Sequence, residues 1–269
     1  MTNSSTPRVT LLSTGGPTAL IELGGLRLLT DPTFDEPREY VSGTGAKLTK
    51  TGPAVLGPEA LGRIDAVLLS HDEHADNLDV AGRALLARVP RVFTTVAGAG
   101  RLAERGDAEQ AEGLAPWDAR VLERPDGGRL TVTAVPALHG PAGFEERVGP
   151  VIGFVLSAQD LPTVYVSGDN ASLDLVEEIA RRSGPVDTAV IFAGAARLPE
   201  FFGPDVLLTL DSAQAAEAAR LLGARRAVVL HCDSWAHFSE DFAVVEKAFT
   251  AAGLGETLSR TRHGSAYRV

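Results

Sequence analysis

The stretch LLSHDEHADNLD, Leu68 to Asp79, sets two histidines, four acids and an asparagine directly behind an apolar run. Imidazoles and carboxylates at this spacing are the groups that divalent transition metals select. Three further residues share the placement. His139, Asp169 and His231 follow the β-type runs TVTAVPAL, TVYVSG and RAVVL, as His71 follows DAVLLS. Strand ends converge in space, and rigid strands can hold a coordination shell while the loops they feed leave one position open. A lone histidine in such a loop is usually a hydrogen-bonded or surface residue. The correlated placement of four groups argues for metal ligation instead.

The elements that must position these groups are readable from the pattern. RVTLLS, TALIEL and LRLLTD are short β-type runs parted by glycine pairs at Gly15-Gly16 and Gly24-Gly25, which predicts adjacent antiparallel strands with tight turns. DAVLLS reads as a buried strand. Residues 78–88 have helical spacing with Leu78, Ala81, Leu85 and Leu86 on one face, and RVFTTV returns as a strand. After an irregular middle, RLTVTAVPAL, VIGFVLSA and TVYVSGDN resume the sheet. Helices over 173–182, 212–222 and 240–251 then alternate with the strands DTAVIFAG and RAVVLHC. Leading strands followed by this alternation predict an α/β protein with helices covering the sheet faces. Residues 34–56 carry Pro37, Gly43, Gly45, Gly52 and Pro53 with little periodicity, and read as a long surface loop, equally a binding lid or a mobile insertion.

Composition limits the function classes. At 269 residues and 44% hydrophobic content the chain can bury a large core. No run approaches the roughly 20 apolar residues that span a bilayer, and MTNSSTPRVT resembles no signal peptide, so a cytoplasmic location is expected. Cys232 is the single cysteine, which excludes an intrachain disulfide. A formal charge of −10 makes nucleic acid an unfavourable partner and leaves a small-molecule substrate as the expectation, with oligomerisation open.

The ordered set HDEHADN at 71–77, LHG at His139, SGDN at Asp169 and LHCDSW at His231 resembles the metallo-β-lactamase fold hydrolases. Their signature is His-x-His-x-Asp-His followed by a separated His, Asp and His. The opening GGPTALIELGGLRLLTDPTF resembles the lactonase-like and phosphodiesterase-like branch, so the likeness covers nearly the whole chain. It implies a four-layer αββα sandwich, a single such domain over 1–269 built from two αβ halves. It also implies one or two Zn2+ ions, with Mn2+ as an alternative. His71, His74 and His139 would offer three imidazoles to one metal, leaving a fourth position for water and generating hydroxide. Asp76, Asp169 and His231 would form the second position, Asp169 bridging.

Two departures bear on this reading. Asp72 and Glu73 stand between His71 and His74 where the family has one residue, so the loop bulges, His71 is displaced, or Asp72 takes its place; direct succession to the strand favours His71. Asn77 stands where the motif ends in histidine. This leaves the second position rich in oxygen, favours a harder ion such as manganese, and admits a single-metal enzyme in which Asp76 orients or deprotonates the water. Without the resemblance, Asp76 and Asp169 read equally as helix caps.

The remaining candidates are fewer. Asp31 before Pro32 reads as a turn starter, with support of a ligand as the alternative. His237, beside Trp235 and Phe238, is a candidate to line the pocket or donate a proton. Cys232 reads as an inert buried thiol, His263 as a surface residue without a partner, and GGPT at 15–18 as a hairpin turn.

The function expected is a metal-dependent hydrolase using metal-bound hydroxide on a lactone or other ester, or a phosphodiester. β-Lactam hydrolysis does not follow from the fold's name. The alternative is a metal-poor binding or regulatory protein that keeps the fold. Because an asparagine amide has no basic nitrogen, one tight and one weak site are expected, and Asn77→His should tighten the second. Metal titration by calorimetry checks this; two equally tight native sites, or no change on substitution, would remove Asn77 from the ligand position.

Overall fold

The computed structural model describes residues 9–41, 45–260 and 262–269. The stretch 1–8, including the arginine that opens the first β-type run, lies outside the described residues, as do 42–44, with Gly43, and 261.

Strands β1 (Thr10–Gly15), β2 (Thr18–Leu23) and β3 (Leu26–Thr30) form the expected antiparallel meander. The turn between Leu23 and Leu26 requires positive φ at both central residues, 58° at Gly24 and 80° at Gly25, which glycine adopts without steric cost. A polar hairpin follows, β4 (Arg38–Val41) and β5 (Lys47–Lys50), then the single-turn helix α1 (Pro58–Leu61) and strand β6 (Ala66–Leu68). Helix α2 (Val80–Leu86), β7 (Val92–Thr95), α3 (Val96–Arg105) and β8 (Ala111–Leu114) complete the first half. With β15 (Ala266–Arg268) on the far edge, these strands make a seven-stranded sheet in the order β15-β1-β2-β3-β6-β7-β8.

The second sheet has six strands. β9 (Ala119–Glu123), β10 (Arg129–Pro136), β11 (Ile152–Ser157) and β12 (Val164–Val166) are antiparallel, whereas β13 (Thr188–Phe192) and β14 (Arg226–Leu230) join in parallel. Its helices are α5 (Leu173–Ser183), α7 (Ser212–Leu221) and α8 (Phe242–Ala251), with the single turns α4 (Glu145–Val148) and α6 (Pro199–Phe202) in the loops.

Period-two alternation builds the layers. Val190 and Phe192 of β13 face the other sheet and share a core with Ile21, Leu28, Leu68 and Phe93, while Ala189 and Ile191 share the opposite core with Val176, Ile179 and Phe249 of the helices. On the opposite side, Leu29, Val67 and Val92 pack against Leu85, Leu86 and Leu102. The result is the expected αββα sandwich. Among the described residues no helix is long and apolar enough to cross a membrane.

Two local readings change. Residues 34–56 are not simply a loop: the β4–β5 hairpin buries Leu48 and Lys50. It forms without an apolar pattern because its bonds are long-range. Lys50 Nζ donates to Asp79 Oδ2 at 2.9 Å, and Thr49 O accepts from the Ala236 amide at 2.9 Å. RVFTTV ends as a strand at Thr95, whose hydroxyl accepts from the Gly98 amide and starts α3.

Gly82 marks where α2 meets the exit of β3, since a Cβ there would lie 1.8 Å from Pro32 O. Gly82→Ala is therefore expected to destabilise the protein by roughly 3 kcal/mol. Gly100→Ala, in α3 with open space around it, should stabilise by about 0.5–1 kcal/mol. Urea denaturation midpoints of the two variants should move in opposite directions.

Candidate metal centre

The carboxyl ends of β6, β10, β12 and β14 deliver His71, His139, Asp169 and His231 to one end of the sandwich, and the α2 approach adds His74 and Asp76. Two clusters result, His71–His74–His139 and Asp76–Asp169–His231, each with its donor atoms within 4.8 Å of one another.

In the first, His71 Nε2 lies 2.8 Å from His74 Nδ1, and His139 Nε2 lies 3.2 Å from the same atom. His139 Nδ1 is 2.7 Å from Leu208 O, so it carries the proton and turns the Nε2 lone pair into the cluster. Burial, followed by the neighbouring His74, holds His71 well below the usual imidazole range; burial and then His139 lower His74 to about 4. His71 and His74 are therefore neutral at pH 7. One His74 Nδ1 proton cannot serve both contacts, so a lone-pair conflict remains that a cation at the centre would relieve.

In the second, His231 Nδ1 is 3.0 Å from Asp169 Oδ1 and Nε2 is 3.4 Å from Asp76 Oδ2. Neither contact has hydrogen-bond alignment, and Asp76 Oδ1 also lacks a protein partner among the described residues. Burial alone would raise Asp76 and Asp169, but His237 and His231 around the first, and His231 and His139 around the second, hold both carboxyls below their usual range. Burial alone would lower His231, yet Asp169 and Asp76 push it up to about 10. Two buried anions converging on one imidazole without directed bonds form a donor set that suits a divalent cation. Asp169 Oδ2 is 3.7 Å from His139 Nε2, so this carboxylate faces both clusters. Neither Asp76 nor Asp169 caps a helix, because Asp79 caps α2 and Ser172 caps α5.

The bulge between His71 and His74 turns both intervening acids away from the cluster, Asp72 remaining buried. Asp72 makes a forked pair with Arg101 of α3, with Nη2 to Oδ1 at 2.5 Å, and Glu73 bonds the same guanidinium. His71 thus occupies the cluster and Asp72 does not. Asn77 Nδ2 donates to Asp169 Oδ1 at 3.2 Å, so the amide orients the shared carboxylate.

Asp31 is more than a turn starter. Its Oδ1 accepts from the Ser70 amide at 2.7 Å, and Ser70 Oγ is 2.9 Å from His71 Nδ1. His237 Nε2 lies 3.0 Å from Asp76 Oδ2, and Nδ1 has no protein partner among the described residues. Cys232 is buried against the helical layer, as expected, and burial pushes its thiol up. His263 is not partnerless: Ser13 Oγ lies 2.8 Å from Nδ1, and Asp233 Oδ2 lies 2.9 Å from Nε2. Pairing of β15 with β1 creates this contact, which local sequence cannot show. The GGPT turn also takes part, since Gly16 N donates to Asp233 and Gly16 O accepts from the His231 amide.

Beside the clusters opens a narrow pocket, walled by Leu48, Val148, Leu198, Phe202 and Leu208 and reached by His74 and His237. Sequence reasoning missed this wall, which comes from the hairpin and the short turns α4 and α6.

Residues 26–232 match the beta-lactamase superfamily domain. The chain belongs to this family. A metal-dependent hydrolase of Pyrococcus abyssi is 26% identical over 72% of the chain and 78% of its own length. The N-acyl-phosphatidylethanolamine-hydrolyzing phospholipase D 1 of Caenorhabditis elegans is 25% identical over 81% of the chain and 62% of its own length. The crystal structure of isothiocyanate hydrolase from Delia radicum gut bacteria shares the fold, with a TM-score of 0.77 at 20% identity, covering 96% of this chain and 98% of that one. Family and buried donor sets together make this a metal-dependent hydrolase of the beta-lactamase superfamily.

His71→Ala is expected to weaken metal binding by more than about 100-fold, beyond the usual effect of residues that merely support a ligand. Asp72→Ala should act chiefly on the Arg101 pair. Metal affinities of the two variants check the assignment, and a larger loss for Asp72→Ala would reverse it.

Proposed function

We propose that this hydrolase cleaves a carboxylic ester or lactone whose acyl part lies in the apolar pocket. The observation that carries the reading is the opening of that pocket directly onto both donor clusters. His71, His74 and His139 would hold one metal, and Asp76, Asp169 and His231 a second, with 1–269 acting as one domain. When bound, zinc or manganese supplies Lewis acidity and lowers the pKa of a water molecule. The imidazole set suits zinc, and the carboxylate-rich set suits the harder ion.

The residues around them divide the remaining work. Asp169, steadied by Asn77, keeps the two sets in register. His139 is held in one tautomer by Leu208 O, and His71 is braced through Ser70 by Asp31. His237, anchored on Asp76 through Nε2, is the group available to carry a proton to the leaving oxygen. The apolar walls exclude competing water from the acyl side of the substrate.

A phosphodiester is the second reading, favoured by the similarity to the nematode phospholipase. Elemental analysis of protein expressed with zinc or manganese, joined to a screen of lactones, esters and phosphodiesters, separates these readings. At least about one equivalent of metal is expected, and His139→Ala should lose metal and turnover together, the latter by about 100-fold or more. Metal well below one equivalent would leave a binding protein in place of the hydrolase.

A further inference from the structure

Arg147 stands at the rim of the pocket beside the donor clusters. Its guanidinium lies 4.4 Å over the Phe202 ring and 5.1 Å from that of Phe144, and Nη2 donates to Phe201 O at 2.6 Å. These contacts orient the fork of a side chain that is otherwise exposed, leaving other edge N–H groups to meet an in-plane partner. Among the described residues Arg147 makes no ion pair. Glu145 and Glu146 precede it in α4 without closing on it, and Glu73, in the adjoining groove, is committed to Arg101. Asp76 also lines the pocket but is engaged by His237 and His231. In a chain of formal charge −10, an exposed cation that makes no ion pair and is held against two aromatic rings at the rim of this pocket is a candidate recognition group.

We propose that the pocket and Arg147 together bind an anionic amphiphile. Its apolar acyl or aryl group sits against Leu48, Leu198, Phe202 and Leu208, and its carboxylate or phosphate is taken by the Arg147 fork. The proposal rests on the hydrolase reading only in taking this ligand to be the substrate. Planar, bidentate recognition is common to both anions, and the apolar wall excludes fully polar phosphates as the preferred class.

Calorimetry on the metal-loaded protein tests it with three probes: hexanamide, and the same amide ending in a carboxylate or in a phosphate. Because an anion also meets the metals, the quantity read is the anionic-to-neutral affinity ratio in native protein against Arg147→Met. The native ratio is expected to be roughly tenfold to a hundredfold, falling toward one in Arg147→Met. Arg147→Lys, which keeps the charge and loses the fork, should fall between them; it decides the case if Arg147→Met does not fold. The larger of the two anionic ratios identifies carboxylate or phosphate as the natural group. A native ratio near one, or a ratio that both variants leave unchanged, overturns the proposal. Turnover of the corresponding esters is measured separately. Arg147-dependent binding without hydrolysis would sink the hydrolase reading and leave the subsite standing, whereas hydrolysis indifferent to the anion would do the reverse.

Discussion

Everything at the active end of this molecule depends on the burial of Asp76 and Asp169 as anions. Each carboxylate sits where desolvation alone would protonate it, and each stays charged because imidazoles crowd around it. No member of the set is tolerable alone. An isolated buried carboxylate or an isolated charged His231 would cost several kcal/mol, so the cluster forms together or not at all. This explains why four of the six clustered side chains stand at strand ends: a rigid sheet can force such groups into contact before a cation compensates them.

The backbone shows the same forcing. Asp31 and His231 occupy positive φ, 24° and 58°, which non-glycine residues reach at a cost of order 1–3 kcal/mol. Both sit at junctions between a strand and the site. Asp31 turns its carboxylate under Ser70, and His231 turns its ring between two acids. The strain is held by the sheets, whose shared core from Ile21 to Leu230 fixes the strand ends on either side.

Sequence made the clustered histidines and aspartates and most of the sheet legible for one reason. β10, β12, β13 and β14 are buried on one or both faces, so their apolar runs are dense, and a histidine or aspartate directly after such a run stands out. The β4–β5 hairpin was illegible because Arg38–Val41 and Lys47–Lys50 carry almost no apolar alternation; a buried ion pair and bonds to residues 234–236 hold it in place. Arg101 and Arg147 were equally silent. A surface arginine acquires meaning only from what it faces, and their partners arrive from distant loops. His263 belongs with them, since its contact with Ser13 spans 250 positions.

That contact has a consequence for biosynthesis. Strand β15 pairs with β1, and His263, just before it, contacts Asp233, which accepts from the amide of Gly16, whose carbonyl accepts from the His231 amide. A ribosome releases this segment after the strands that carry both donor clusters have emerged, and contacts of such separation close last because their loop entropy is largest. A nascent chain can therefore gather the three-imidazole cluster while its oxygen-rich neighbour still lacks its brace. The order of translation becomes an order of assembly, in which the His263 segment, made after the strands that carry the centre, locks its second half.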